Sequence, residues 1–220
     1  MSVKIKKTPV TDVVDNNRRM EFDITNEEVI GSEIPVDMLF LGDSITNNWE
    51  AQLWFHKYGT VINRGIGGDR IECIDQRLEG DALQIGARVL VLMIGINNTW
   101  NIEDAESPEN EAENRRKFIL EHYESILKQC KAAGQHTLVC SVLPVCDCDL
   151  RKRLIIRLNE GIKALCEKYG FEYVDYHSAV AESDGITMPR GLTADGLHPN
   201  SDGYRIMCRV LSRSLDKIFN

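Results

Sequence analysis

The sequence has no run of 18 apolar residues, the length that a helix needs to cross a membrane, and so it predicts no transmembrane span. No apolar stretch follows the charged amino-terminal residues, so we expect no secretory signal and a cytoplasmic protein. Positive charge is also scarce, because 26 basic residues face 34 acidic ones and the net charge is −8. That balance argues against binding to a nucleic-acid backbone.

The fingerprints of nucleotide-binding proteins are absent as well. Gly65 and Gly67 start a G-x-G-x-x-G pattern, but Arg70 stands where the third glycine belongs. The sequence has neither the phosphate-binding P-loop nor the G-x-S-x-G elbow of α/β-hydrolases. These absences count against a doubly wound nucleotide-binding protein, and the sequence implies no cofactor.

Cysteine is plentiful, but its spacing does not suit a metal site. The seven cysteines are an odd number scattered through the predicted core elements, which indicates reduced thiols in a cytosolic protein. The one tight pair, Cys146 and Cys148, lacks the C-x-x-C spacing, and no second Cys/His pair completes four ligands. We therefore predict no metal site.

Apolar segments of strand length alternate with helical patterns along the chain. This alternation predicts a three-layer α/β/α fold, in which a parallel sheet of five strands has right-handed crossovers and helices on both faces. Residues 1–34 lack firm periodicity, and we expect them to form an amino-terminal arm packed on a single domain of residues 35–220. Strands are expected near residues 36–42, 60–63, 87–94, 136–143 and 171–175, and helices near 47–57, 70–80, 108–133, 149–169 and 201–218.

The first strand ends at Gly42-Asp43-Ser44, a turn that places a hydroxyl at the carboxyl edge of the sheet. Ligands of open α/β sheets bind at this edge. A serine there is either the cap of the following helix or a nucleophile. The second role needs a histidine with an orienting carboxylate, because a serine hydroxyl attacks poorly until a base removes its proton.

Asp195 and His198 offer such a pair shortly before the last predicted helix. Their spacing lets the Asp195 carboxylate accept a hydrogen bond from His198 Nδ1, which leaves Nε2 for Ser44. The same segment is rich in turn formers, so a simple loop cap is the alternative interpretation.

Two further strand ends carry potential N–H donors. Gly65-Ile66-Gly67-Gly68 follows the second strand, and glycine lets backbone N–H groups approach a substrate closely because it has no Cβ. Asn97 follows the third strand and can donate from its side-chain amide. Acyl transfer needs such donors, because negative charge develops on the carbonyl oxygen.

Four segments, in this order, resemble the sequence blocks of the GDSL, or SGNH, hydrolase family. The resemblance spans most of the chain and implies a flavodoxin-like fold and metal-independent hydrolysis of esters and thioesters. The four segments are Gly42-Asp43-Ser44, Asn63-Arg64-Gly65-Ile66-Gly67-Gly68-Asp69, Gly95-Ile96-Asn97-Asn98 and Asp195-Gly196-Leu197-His198-Pro199-Asn200.

The same resemblance implies roles by position. Ser44 would be the nucleophile, His198 the base, and Asp195 the residue that orients His198. The oxyanion hole would consist of the backbone N–H groups of Ser44 and Gly68 and the side chain of Asn97.

The third block departs from the family at one position, since the family commonly has Gly-x-Asn-Asp where this chain has Asn98. The change removes a loop-organising charge but keeps the donor at Asn97. The Asn-Asn form and the Gly-Ile-Gly-Gly-Asp segment are similar to the platelet-activating-factor acetylhydrolase-like branch. That likeness favours short acyl groups such as acetyl.

Three other residues are candidates for contacts with the substrate. Trp100, two residues beyond Asn98, is placed to line an acyl or sugar pocket, with simple packing as the alternative. Arg70 flanks the glycine turn, where a salt bridge or a cap is the competing role. Asp43, beside Ser44, is the third candidate.

Together these residues predict a serine esterase that removes a short acyl group, acetyl in particular, from an alcohol such as a carbohydrate through an acyl-enzyme. The substrate would be a small ester, either an acylated sugar or a lipid-like molecule. The alternatives are a thioesterase or lysophospholipase for longer acyl chains, and a catalytically silent binding protein on the same fold. Whether the chain forms a homo-oligomer is left open by the sequence.

Overall fold

The structure is a computed structural model that describes residues 4–8 and 16–220. Five strands in this part of the chain form an all-parallel sheet: β1 (Met38–Gly42), β2 (Val61–Gly65), β3 (Val89–Met93), β4 (Thr137–Cys140) and β5 (Glu172–Val174). Their order is β2-β1-β3-β4-β5, which is the strand order of flavodoxin-like folds and confirms the predicted fold class.

The register of the sheet aligns the ends of three strands. Gly42, the last residue of β1, lies opposite Gly65 of β2 on one side and Met93 of β3 on the other. The segments that follow these strands therefore leave the sheet along one line.

Helices flank the sheet. The long helices α4, α5 and α6 pack side by side, whereas α8 packs on α7 and against β5. Within the described ranges, none of the helices combines the length and the apolar character that crossing a membrane requires. The helices are α1 (Asn16–Gly31), α2 (Ser44–Asn47), α3 (Ala51–Trp54), α4 (Ile71–Asp81), α5 (Pro108–Ala132), α6 (Asp149–Tyr169), α7 (Tyr176–Val180) and α8 (Ser201–Phe219).

The core lies between the sheet and these helices. Strands β1 and β3 are buried at every position, which explains why both are continuous apolar runs. Aromatic rings pack beneath the segment that follows β1: Phe40 stacks on Phe55 with ring centres 5.3 Å apart, and Trp49 stacks on Tyr204 at 5.2 Å. These contacts hold that segment between the sheet and α8.

The predicted helix over 47–57 is wrong in its bounds. Helix α2 begins at Ser44, because the carboxylate of Asp43 caps it. It ends after one turn at Asn47, where the side-chain amide of Asn63 donates to the carbonyl groups of Thr46 at 2.7 Å and Trp49 at 3.0 Å. A second short helix, α3, and a 3-10 turn complete the segment. The predicted ends of every other helix and strand lie within three residues of the observed ends.

The sequence predicted no helix before the first strand, but α1 occupies that region and packs on α4. Its buried side carries polar residues beside Phe22, and these hid the periodicity. Arg19 is 1% exposed and forms an ion pair with an aspartate of α4, and the buried Asn26 donates to a carbonyl group of the same helix at 2.9 Å. Phe22 of the same helix is buried as well.

Candidate active site

The carboxyl ends of β1, β2 and β3 bring three of the predicted segments to one edge of the sheet. Ser44 follows β1 as the first residue of α2, and the glycine turn Ile66–Asp69 follows β2. Asn97 follows β3 in a 3-10 turn. A Cβ placed on Gly67 would lie 4.0 Å from Ser44 Cβ, so the glycine turn lies beside the serine.

Gly65 allows the end of β2 to pass close to α2. A Cβ at this position would lie 2.2 Å from the backbone nitrogen of Asn47. Any side chain here would push the glycine turn away from Ser44, so the close approach requires glycine.

A loop that precedes α8 forms the opposite wall of the site. Asp195 Oδ1 accepts hydrogen bonds from the backbone N–H groups of Leu197 at 3.0 Å and His198 at 2.8 Å. Thr193 Oγ1 donates to the carbonyl group of His198 at 2.8 Å and accepts from the N–H of Gly196 at 3.0 Å. This network fixes the carboxylate and the imidazole in one orientation.

The structure joins Ser44, His198 and Asp195 in a chain of hydrogen bonds. Ser44 Oγ lies 2.8 Å from His198 Nε2, and His198 Nδ1 lies 2.6 Å from Asp195 Oδ2. Because the ionised carboxylate can only accept, Nδ1 carries the proton of a neutral imidazole and Nε2 is free to take the serine proton. The arrangement can therefore convert a hydroxyl into a nucleophile.

Asp195 keeps its charge well into the acid range. Burial opposes ionisation, but hydrogen bonds from the backbone and ring of His198 and from the N–H of Leu197 outweigh it and lower the pKa of Asp195 to about 2. The carboxylate is thus ionised at neutral pH, where it can stabilise a positive charge on the imidazole.

Three N–H groups near Ser44 can meet a developing negative charge. The N–H of Ser44 lies in the first turn of α2, where no intrahelical acceptor exists. Gly68 has a left-handed φ of 83°, and its N–H makes no hydrogen bond with any residue in 4–8 or 16–220. Asn97 Nδ2 donates to the carbonyl group of Asp69 at 2.8 Å, which ties the amide to the glycine turn and leaves its second N–H available.

Asn98 connects the turn after β3 to the start of α4. Its Oδ1 accepts from the N–H of Ile71 at 2.9 Å, and its Nδ2 donates to Glu72 Oε2 at 2.8 Å. The neutral amide of Asn98 therefore organises this loop through both of its polar atoms. An aspartate at this position could accept from Ile71 but could not donate to Glu72.

Two cavities flank Trp100, which is 42% exposed. The smaller, of about 180 Å³, lies on the side of Asp195 and Arg190. The guanidinium of the buried Arg151 lies 4.0 Å from the centre of the Trp100 ring and supports the indole. The larger cavity, of about 360 Å³, is lined by Arg70, Glu72, Asn97, Asn98, Trp100, Asn101, Arg115 and Phe118.

Of the three candidates for substrate contact, two line a cavity and the third is buried. Arg70 and Trp100 both line the larger cavity beside Asn97. Asp43 is 1% exposed, and its carboxylate accepts from the N–H of Ile45 at 3.0 Å as the cap of α2. The structure thus gives Asp43 a capping role beside Ser44, and its contact with a substrate stays a prediction.

Sequence reasoning missed two residues that brace the site. Thr193 holds the loop of Asp195 and His198, and a threonine two residues before an aspartate in a turn-rich segment is the signal that could have indicated it. The hydroxyl of Tyr204 donates to the carbonyl group of Ile45 at 2.7 Å and ties α8 to α2. That contact joins residues far apart in the chain, so the local pattern carries no trace of it.

Asp43 should make the stability of the protein depend on pH. Burial raises its pKa from 3.8 to about 7, and the nearby Asp69 carboxylate acts in the same direction, against the hydrogen bond from Ile45. Between pH 4 and 7 the unfolded chain loses this proton while the folded protein keeps it, so stability falls as pH rises through that window. The total loss is on the order of 4 kcal/mol.

The Asp43→Asn variant keeps a capping side chain and removes the ionisation. Denaturant unfolding of both proteins at pH 5 and pH 7.5 should show a larger fall for the wild type than for the variant. Equal falls would show that Asp43 does not titrate in this range.

Residues 40–206 match the model of the GDSL-like lipase/acylhydrolase family. The chain is 23% identical to an acetylxylan esterase of Geobacillus stearothermophilus, in an alignment that covers 81% of this chain and 93% of that protein.

Two solved structures show the same fold. One is a GDSL-like lipase from Bacteroides thetaiotaomicron, 22% identical with a TM-score of 0.71 over 89% of this chain and 97% of that chain. The other, from Streptococcus pneumoniae and named for platelet activating factor, is 22% identical with a TM-score of 0.73 over 90% and 93%. The resemblance drawn from the four sequence blocks is thus confirmed, and the chain belongs to the GDSL-like lipase/acylhydrolase family of carboxylic ester hydrolases.

Proposed function

We propose that the protein is a serine esterase that removes short acyl groups, acetyl above all, from hydroxylated small molecules such as carbohydrates. The observation that carries the proposal is the hydrogen-bonded chain from Ser44 Oγ through His198 to Asp195, beside the N–H groups of Gly68 and Asn97. Nucleophile, base, orienting carboxylate and oxyanion donors are the parts that acyl transfer through a serine requires.

The reaction follows from this geometry in two stages. Ser44 Oγ attacks the ester carbonyl carbon while its proton passes to His198 Nε2, and the carbonyl oxygen becomes an anion held by the N–H groups. The intermediate collapses when His198 returns the proton to the leaving alcohol, which departs and leaves an acyl group on Ser44. Water then attacks the acyl-enzyme with His198 again as base, and the acid is released.

The preference for a polar leaving group is supported by the larger cavity beside Asn97. Its lining combines the guanidinium of Arg70, the carboxylate of Glu72 and the exposed rings of Trp100 and Phe118. Hydrogen-bonding groups around aromatic surfaces suit a ring that carries hydroxyl groups better than they suit an alkyl chain. The relative from Geobacillus, an acetylxylan esterase by name, points to the same class of substrate.

The proposal is tested by hydrolysis of p-nitrophenyl esters from acetate to decanoate, followed by acetylated xylo-oligosaccharides. We expect kcat/KM to be highest for acetate and to fall as the acyl chain lengthens, and we expect release of acetate from the sugars. A rise toward decanoate would replace the proposal with a thioesterase or lysophospholipase. No hydrolysis of any ester, together with no labelling of Ser44 by a serine-directed phosphonate, would leave a silent binding protein.

A further inference from the structure

The guanidinium of Arg77 in α4 lies at the centre of the strand ends that build the site. The side chain is fully buried. Its Nη2 donates to the carbonyl groups of Gly42 at 3.0 Å and Arg64 at 2.9 Å, and its Nε donates to Asp69 Oδ2 at 2.7 Å. Its Nη1 donates to Asp81 Oδ2, one helical turn further along α4, at 3.1 Å.

The first three contacts hold the chain segments from which oxyanion donors project. The carbonyl group of Gly42 ends β1, two residues before Ser44. The carbonyl group of Arg64 belongs to the penultimate residue of β2, two residues before the glycine turn. Asp69 ends that turn, and its own carbonyl group accepts from the side chain of Asn97. The guanidinium thus joins the end of β1 to the segment of the glycine turn, and Asn97 is tied to the same unit through the carbonyl group of Asp69.

We propose that Arg77 is the positioning residue of the oxyanion hole, an inference that rests on the proposed esterase function. It does not touch the substrate, because its side chain is buried behind the strand ends. It sets the positions of the N–H groups of Ser44 and Gly68 through the backbone on either side of them, and that of the Asn97 amide through the carbonyl group of Asp69. Preorganised donors of this kind are effective only when their positions are set before the charge develops.

Lysine cannot replace this group. A guanidinium holds five N–H donors in a rigid fork, whereas an ammonium is a single point of charge on a flexible chain. In an Arg77→Lys variant one ammonium cannot reach Gly42, Arg64 and Asp69 together, so at least one donor segment is released. The charge of the buried cluster stays the same, which separates geometry from electrostatics.

Arg64 offers a matched control. It is also buried, at 5% exposure, and belongs to the same charge cluster. Its Nη2 donates to Asn26 Oδ1 of α1 at 2.8 Å, and the guanidinium lies 4.8 Å from the centre of the Phe22 ring. The side chain of Arg64 therefore secures α1 and makes none of the contacts through which Arg77 joins the donor segments.

The experiment compares Arg77→Lys with Arg64→Lys in the full chain, using p-nitrophenyl acetate at a temperature where circular dichroism shows both variants folded. We expect Arg77→Lys to lower kcat by on the order of 10²-fold with KM within about twofold, as for other small misplacements of catalytic groups. It should also weaken inhibition by phenylboronic acid, whose tetrahedral serine adduct occupies the same N–H groups. Arg64→Lys should lose thermal stability and keep kcat within about threefold of the wild type.

Equal kcat values for the two lysine variants would overturn the positioning role. If Arg77→Lys does not fold, Asp69→Asn takes its place, because it removes the carboxylate held by Arg77 and keeps the carbonyl group that holds Asn97. Wild-type kcat in that variant would also overturn the proposal. A wild-type protein that hydrolyses no ester would instead contradict the proposed function, before any variant is compared.

Discussion

Replacing Ser44 with alanine is expected to lower kcat for ester hydrolysis by about 10⁴- to 10⁶-fold, the range seen when a serine hydrolase loses its nucleophile. In the proposed mechanism His198 Nε2, which lies 2.8 Å from Ser44 Oγ, removes the serine proton, and no acyl-enzyme can form without that oxygen. Some acceleration over water should survive, because the N–H donors and the bound substrate remain in place.

The measurement is kcat on p-nitrophenyl acetate, with thermal unfolding of the same samples. The fold should be retained, since Asp43 rather than Ser44 caps α2. Ser178→Ala, a change at an exposed serine of α7, is the matched control and should leave kcat unchanged. Activity close to wild type in a folded Ser44→Ala protein would exclude the serine mechanism.

Replacing Asn97 with alanine should lower kcat by about 10²- to 10³-fold, the cost of losing one oxyanion donor elsewhere. KM should change little, because the lost hydrogen bond forms in the transition state and not with the bound ester. The variant also loses the contact from Asn97 Nδ2 to the carbonyl group of Asp69.

Asn97→Asp tests whether the side chain faces the reacting carbonyl group, since both variants lose the contact with the carbonyl group of Asp69. It has nearly the same shape as asparagine but presents a negative charge to the developing oxyanion, so kcat should fall further than in Asn97→Ala. Steady-state kinetics of both variants on p-nitrophenyl acetate provide the comparison. A kcat for Asn97→Asp equal to or above that of Asn97→Ala would show that the side chain does not face the reacting carbonyl.

Much of the fold could be predicted from the sequence, because its strongest signals are physical ones. Apolar strands such as Val89–Met93 are continuous since they are covered on both faces, and parallel strands must bring their carboxyl ends to one edge. That rule alone placed Ser44 and Asn97 near each other. The contact of His198 with Ser44 was predicted from chemistry, because a serine nucleophile needs a base and the spacing of Asp195 suits it to orient His198.

What the sequence did not reveal depends on buried polar groups. Helix α1 was missed because Arg19 and Asn26 point inward, where periodicity arguments expect apolar side chains. Arg77 did not stand out in the sequence, because three of its four acceptors are separated from it by 8 to 35 positions in the chain. Such contacts become visible only when the register of the sheet is known.

The alignment of the carboxyl ends of β1, β2 and β3 limits where residues can be inserted or deleted in this protein. One residue of a strand spans about 3.3 Å, which is as long as a hydrogen bond. Deleting one residue of β2 would therefore move the glycine turn away from Ser44 by about the length of one hydrogen bond. An insertion between α4 and β3 would leave the carboxyl ends of the strands aligned. The lengths of β1, β2 and β3 are thus constrained by the geometry of the site. The connections that enter these strands at the opposite edge of the sheet can change in length without moving the site residues.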